Sequence, residues 1–314
     1  MRTAVVTPTL ARTRAELAAA LTRQDAAPPR SGGRHRAVVM TMGALHEGHL
    51  SLVAAARERA EHVVVTIFVN PLQFGAGEDL ERYPRDLDGD LHRLTGPGLL
   101  REGDVVFAPG PDEVYPDGDP LVRVSAGRIG EVLEGASRPG HFDGVLTVVL
   151  KLLHLTHPDV AIYGRKDAQQ LVAIRRMVRD LDLDVDVVGA PLVRDADGLA
   201  LSSRNAYLSD DERARALALP AALRAATATA DGGGTPDEVR AAALAVLVGL
   251  AGPVGPVGLD VDYVAVVDPD DLTELAPDHA GDALVALAAR VGRTRLIDNT
   301  TVHLGPARGK EAAR

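Results

Sequence analysis

Between residues 36 and 193 short β-branched apolar runs alternate with stretches of helical period, and few folds accept that alternation. The clearest run is HVVVTIFV at His62–Val69, continuously apolar as a strand buried on both faces requires. Arg36–Met42, Asp104–Ala108, Leu121–Ser125, Asp159–Tyr163 and Val185–Val193 read as further strands. Glu47–Ala60, Asp143–Leu155 and Asp167–Asp180 read as helices between them, and Arg12–Leu21 as a helix ahead of them. Strands separated by helices make right-handed βαβ units, which predicts an α/β chain with a Rossmann-like, doubly wound parallel sheet. In such a sheet ligands gather beyond the carboxyl ends of the strands, so the loops that follow strands are where chemistry is expected.

The pattern changes near residue 192. Alanine-rich helical stretches, Asp210–Ala228 and Pro236–Leu250, precede strands at Asp262–Val267, Ala283–Ala288 and Thr294–Asp298. That order predicts a second, smaller α+β C-terminal domain. The expected division is residues 1–192 and 193–314, with a disordered tail over residues 305–314.

Composition removes several classes of function. The chain has no cysteine, which excludes disulfides, thiolate zinc sites and cysteine nucleophiles. Its formal charge is −10, and its only lysines are Lys151, Lys166 and Lys310. A nucleic-acid partner, which needs an excess of phosphate-facing cations, is therefore not expected. A cleft can still concentrate a few cations on an acidic protein, built here mainly from arginine and histidine. No apolar run reaches the ~18–20 residues of a membrane helix, and the opening MRTAVVTPTLARTRAEL lacks the apolar stretch of a secretory leader. The expectation is a cytoplasmic chain with no membrane partner.

Five segments carry candidate chemistry. The first, Met40 to Leu52 (MTMGALHEGHLSL), joins the first predicted strand of the alternation to a helix. Gly43 lets the backbone leave the sheet, and the helix start offers unpaired N–H groups to an anion. His46 and His49 are three apart and share a helical face, with Gly48 leaving room between them; this spacing suits a phosphate site with two imidazole donors. Zinc is a poorer fit, because the protease helix needs H-E-x-x-H and a further ligand. The second segment, FVNPLQFGAGEDL at 68–80, places the amide of Gln73 just past a strand, where it can both donate and accept. Its G-x-G lacks the third glycine of a dinucleotide fingerprint. The third, GASRPGHFDGV at 135–145, offers Arg138 as an anion clamp, while His141 and Asp143 read as helix caps. In the fourth, YGRKDAQQL at 163–171, Lys166 stands at a strand-to-helix switch, Asp167 fits the cap, and Gln170 is placed to face Gln73. The fifth, DGLALSSRN at 197–205, sets two hydroxyls and a guanidinium in sequence as a phosphate cradle. It is not a G-x-S-x-G elbow, so no serine nucleophile is assigned.

In this order the segments resemble the pantothenate synthetase (pantoate–β-alanine ligase) family, within the nucleotidyltransferase-like superfamily that carries the H-x-G-H signature. H-x-G-H alone is shared with cytidylyltransferases and class I tRNA synthetases; its combination with FVNPLQF, YPRD, RPGHFDGV, GRKDAQQ and LSSRN is specific. The resemblance is dense over residues 36–208. It implies ATP-dependent joining of (R)-pantoate to β-alanine through a pantoyl adenylate, with ATP as substrate, Mg2+ as cofactor, and release of AMP and diphosphate. It also implies a homodimer. By matching positions, Met42, Gly43, Ala44, Leu45, His46, Glu47, Gly48 and His49 line the ATP site, with His49 as proton donor. Gly164, Arg165, Lys166 and Asp167 contact the nucleotide, Val193 touches it through backbone, and Leu201, Ser202, Ser203 and Arg204 close on the phosphates. Gln73 and Gln170, with Arg138, hold pantoate and β-alanine. His46, His49, Lys166, Ser202, Ser203 and Arg204 form the implied catalytic set.

Three positions depart from the family pattern. Met40 stands where proline is usual, Arg165 where an acidic residue is usual, and Leu201 where methionine is usual. The alternatives to the ligase are a related H-x-G-H nucleotidyltransferase and a nucleotide-binding module without catalysis.

Overall fold

The computed structural model describes residues 7–26, 34–75, 78, 80–251 and 259–305. The chain divides into two compact units, Met1–Arg165 with Ala173–Pro191, and Lys166–Val172 with Leu192–Arg314. All but the first residue of the expected tail over residues 305–314 lies outside the described residues.

The first unit is built on β1 (Thr9–Ala11), α1 (Arg14–Asp25), β2 (Arg34–Thr41), α2 (Glu47–Arg59), β3 (Ala60–Ile67), α3 (Leu87–Thr95) and β4 (Val105–Phe107). It continues through the short helices α4 (Pro111–Val114) and α5 (Glu134–Ser137), then α6 (His141–Thr156), β5 (Val160–Gly164), α7 (Ala168–Asp180) and β6 (Asp186–Ala190). Up to Val172, α7 groups with the second unit. Six strands form one sheet in the order β1-β4-β3-β2-β5-β6, every pair parallel. Strand order runs outward in both directions from β2 and β5, so the topological switch point lies at their carboxyl ends. Val39, Val65, Val106 and Ile162 pack with Leu50 and Val53 of α2 in one buried cluster. Val38, Val64, Val105 and Ala161, which alternate with them, are equally excluded from solvent. Both faces are thus covered, as the unbroken apolar runs required.

Two expectations need correction. Leu121–Ser125 is not a strand. Leu121 and Val122 are exposed, the N–H of Val124 donates to Thr147 Oγ1 (2.9 Å), and that of Ala126 donates to Asp143 Oδ1 (2.7 Å), so α6 side chains take the bonds a sheet partner would have made. The helix expected over Asp210–Ala228 is two, α8 (Asp210–Ala216) and α9 (Ala218–Asp231). Pro220 has no N–H to donate and clashes with a preceding turn, so it is accommodated only where a helix begins anew. Sequence reasoning also passed over β1 and α3.

In the second unit α9 and α10 (Pro236–Ala251) precede an antiparallel sheet ordered β7 (Leu259–Val267), β8 (Gly281–Val291), β9 (Thr294–Leu304). Leu219, Leu223, Val239 and Leu247 from the helices form one core with Val285, Leu287, Leu296 and Leu304 from the strands.

Candidate active site

In the first unit the polypeptide leaves β2 at Thr41 and turns through Gly43 (φ +86°) and Ala44 (φ +52°), two successive left-handed residues. Glycine adopts that conformation freely and alanine does so at a cost. The cost is met from α3. Asp90, buried, accepts the N–H of Leu45 through Oδ1 (2.7 Å) and that of Ala44 through Oδ2 (3.1 Å). Burial raises its pKa, and the two N–H bonds oppose that rise. Asp90 lies in no sequence motif noted above, and nothing local separates it from an ordinary first-turn acid of α3.

The turn delivers His46 to the N-cap of α2. His46 Nδ1 accepts the N–H of Gly48 (3.1 Å), and His49 Nδ1 accepts the N–H of His46 (3.3 Å). The two rings lie side by side with centroids 4.1 Å apart. A ring nitrogen that accepts carries no proton, so each neutral imidazole holds its proton on Nε2. Both rings are thereby set as Nε2–H donors at a helix N-terminus, while Glu47 opens the helix on its exposed side.

After β3, Asn70 organises the Gln73 turn. Its Oδ1 accepts from Leu72 N–H (3.3 Å) and Tyr115 Oη (2.9 Å), and its Nδ2 donates to Gly144 O (3.1 Å) and Gln73 Oε1 (3.2 Å). Gln73 Nε2 in turn lies against Met42 Sδ at 2.9 Å. The amide of Gln73 is thus oriented from both ends and tied to the residue that begins the histidine turn. A Cβ at Gly144 would sit 2.2 Å from Leu72 O, which explains the glycine of HFDGV: α6 must approach this turn backbone to backbone. Asn70 is a further residue that the sequence reading left unassigned.

Arg138 and His141 support the same turn. Arg138 makes a two-pronged pair with Glu78 (Nε 2.8 Å, Nη2 2.6 Å), and its Nη2 donates to Gln73 O (3.3 Å). His141 Nδ1 also lies 2.8 Å from Gln73 O. The Arg138 bond holds the Glu78 carboxyl below the usual carboxylate range. In this arrangement Arg138 is occupied by Glu78 and braces Gln73, a different place from the anion clamp expected of it. His141 and Asp143, expected as caps, instead bind Gln73 O and Ala126 N–H.

At the end of β5, Gly164 pairs with Ala190. Arg165 donates through Nε to Gly189 O (3.1 Å), which lays its charge along the end of β6. Tyr163 Oη, buried, reaches Met40 Sδ (3.4 Å), so the methionine that replaces a proline gives the phenol a partner.

In the second unit, Lys166, Ser202 and Arg204 line one pocket with Arg295 and Asp298 of β9. Ser202 Oγ accepts the N–H of Arg204 (3.3 Å), capping the short turn Ser203–Tyr207. Val193 O accepts from Leu201 N–H (3.0 Å), closing a hairpin ahead of the two serines. Lys166 Nζ is 3.7 Å from Asp167 Oδ1, and the Asp167 carbonyl accepts the Leu171 N–H (3.0 Å) in the turn that carries Gln170. Gln73 belongs to the first unit and Gln170 to the second.

Comparison with known proteins settles the family. The family model for pantoate–β-alanine ligase matches residues 9–301. The pantothenate synthetase of Streptomyces avermitilis is 54% identical, over 87% of this chain and 94% of that protein. Crystalline pantothenate synthetase from Thermus thermophilus superposes with a TM-score of 0.80 at 45% identity, covering 93% of this chain and 98% of that one. The chain belongs to the pantoate–β-alanine ligase family. A further member, from Francisella tularensis, was solved as a complex with β-γ ATP and β-alanine; it is 31% identical, with a TM-score of 0.70 over 94% of this chain and 97% of that one. The chain is accordingly a ligase of pantoate and β-alanine, on the Rossmann-like sheet with a smaller antiparallel domain that its solved relatives share.

Proposed function

We propose that the chain makes pantothenate in two displacements at the site described. A carboxylate oxygen of (R)-pantoate attacks the α-phosphorus of ATP and diphosphate leaves. The amine of β-alanine then attacks the acyl carbon of the adenylate, loses a proton, and AMP departs. Neither step needs a protein nucleophile, so positioning and electrostatic stabilisation carry the rate. The observation that supports this most is the paired imidazoles. With each Nδ1 bound to backbone, His46 and His49 present Nε2–H toward phosphate oxygens as charge builds there. Gln73, oriented by Asn70 and Met42, offers a fixed donor and acceptor to pantoate, and Gln170 is assigned to the same substrate. Met42–His49 and Gly164–Asp167 contact ATP, Lys166 and Ser202–Arg204 bind its phosphates, and Val193 contributes backbone.

Among the described residues no group of three or more His, Asp or Glu side chains is placed to hold a metal ion. Mg2+ would come to the site with ATP, whose phosphates and water would supply oxygen ligands. Among the described residues no helix is long and apolar enough to cross a membrane. A cytoplasmic homodimer is the assembly proposed.

Exchange of labelled diphosphate into ATP tests the reading. It is expected with pantoate present and absent without it. Equal exchange supported by CTP and glycerol phosphate would replace the ligase with a cytidylyltransferase, and ATP binding without pantothenate formation would indicate an inactive module. His49→Ala should lose about 2–4 kcal/mol of transition-state stabilisation, read as kcat/KM in the same assay.

A further inference from the structure

We propose that Asp298 and Asn299, consecutive on β9, are positioning residues that set the two phosphate-facing segments of the second unit, Lys166 and Ser202–Arg204. The proposal rests on the assignment of those segments to ATP.

Along β9 alternate residues face the core of the unit: Thr294, Leu296, Asp298, Val302 and Leu304 are buried. Asp298 thus puts a carboxylate where the pattern asks for an aliphatic side chain. A buried carboxylate is costly unless it is paired and hydrogen-bonded. Asp298 is held by Arg194, whose Nη1 donates to Oδ2 (2.7 Å) and Nη2 to Oδ1 (3.0 Å), and by the N–H of Asn299 (2.8 Å). Arg194 Nη1 also donates across to Gly198 O (3.0 Å). Arg194 and Ala200 form the bridge of a hairpin that Asp195 N–H to Leu199 O (2.8 Å) and Leu201 N–H to Val193 O (3.0 Å) complete. Ser202 follows directly. The Asp298–Arg194 pair therefore anchors the hairpin from which Ser202, Ser203 and Arg204 emerge.

Asn299 serves the other segment. Successive strand residues point to opposite faces, and Asn299 Nδ2 donates to the carbonyl of Lys166 at 2.7 Å, across 133 residues of sequence. The donor holds the backbone of Lys166 just before α7, so the lysine's reach is set from β9. One dipeptide thereby references both segments to a single strand, and Lys166, Ser202 and Arg204 line one pocket with Asp298.

The test uses the full chain with Asn299→Asp, which keeps size and shape but turns an oxygen toward the Lys166 carbonyl. In the diphosphate exchange assay the KM for ATP should rise about tenfold and that for pantoate by clearly less, because Gln170 lies a turn beyond the carbonyl that Asn299 holds. In a Lys166→Ala background the same substitution should add nothing, because a positioning residue acts through the residue it positions. Asp298→Asn should raise the ATP KM as well. Hydrogen exchange supplies the independent readout: amides of residues 166–171 should exchange faster in Asn299→Asp, and those of residues 193–204 in Asp298→Asn. Equal rises in both KM values, full additivity with Lys166→Ala, or unchanged amide exchange would each overturn the proposal. Should Lys166→Ala alone leave ATP kinetics intact, the assignment of Lys166 to ATP fails, and amide exchange still decides whether Asn299 orders the segment. If Asp298→Asn does not fold, Asn299→Asp gives the answer.

Discussion

At the amino end of the six-stranded sheet charged side chains close on one another and on helix ends, whereas at the carboxyl end of β2 Asp90, His46 and His49 close on the backbone of one loop and the helix start after it. Arg36, buried, donates to Gln24 Oε1 (2.7 Å), Asp25 Oδ1 (2.6 Å), and the carbonyls of Thr156 (3.1 Å) and His157 (3.0 Å) where α6 ends. Asp104, just before β4, pairs with Arg57 and accepts the N–H of Val63 (2.9 Å). A cation at a helix C-terminus and a carboxylate on strand N–H groups satisfy the fold and address nothing outside it. At the carboxyl end Asp90 accepts the N–H groups of Ala44 and Leu45 in the left-handed turn, and the Nδ1 atoms of His46 and His49 accept those of Gly48 and His46 at the helix start that follows. There the same kinds of bond fix the aim of the imidazoles. Polar content by itself therefore does not mark a site; what the polar groups hold in place does.

Damage at the amino end should therefore read as stability and damage at the carboxyl end as activity. The largest effect is expected from Asp104→Ala. It leaves Arg57 largely buried with no carboxylate and Val63 N–H without its acceptor, and should cost about 3–5 kcal/mol in denaturant unfolding, with KM values of the folded protein unchanged. A raised KM for either substrate would break the division.

Asp90→Ala should be milder in unfolding, about 1–3 kcal/mol for the abandoned N–H groups, yet harsher in turnover. Releasing the turn at Ala44 and Leu45 moves His46, and a misplacement of about 1 Å can cost ~10²-fold in rate. Asp90→Asn should fall between wild type and alanine, since an amide oxygen still accepts one of the two N–H groups. If Asp90→Ala lost stability with full turnover, Asp90 would belong with the amino-end residues.

These supports were the part of the site that sequence reasoning did not reach. His46, Gly48 and His49 were legible because the turn glycine, the cap and the ring that completes it lie within seven residues, and spacing alone puts the rings on one face. Gln73 and Lys166 could be singled out as candidates because they stand after strands, and Ser202 by its place in the order of the motifs. Asp90 lies 45 and 46 residues from the N–H groups it binds, and Asn299 lies 133 from Lys166. Neither has a local pattern unlike that of a solvated residue. Arg138 shows the converse: its type suited an anion, but Glu78, sixty residues away, meets it first. The parallel sheet was legible because buried strands write continuous apolar runs. Leu121–Ser125 has strand-like composition without strand structure, because Thr147 of α6 takes the N–H of Val124 and Asp143 that of Ala126 just beyond the segment.

The smallest effect is expected at the amino end, from a histidine and through pH. His62, near the start of β3, lies edge-on to His35 with ring centroids 5.1 Å apart. Burial lowers its pKa below 6.5, the neighbouring charges of His35 and Arg36 lower it further, and Glu61 and Asp104 pull the other way. The folded chain therefore resists a proton that the unfolded chain accepts. Stability from this group is complete above about pH 6.5 and declines as pH falls from there through the lower folded pKa, where the loss levels off. His62→Gln removes the titration, so the difference in unfolding free energy between wild type and variant should change with pH in that window and flatten above it. Because the ring sits at the amino end, the pH profile of kcat/KM should be the same for both proteins. A difference that did not vary with pH would remove His62 as a stability group, and a shifted kcat/KM profile would show that the amino end reaches the chemistry after all.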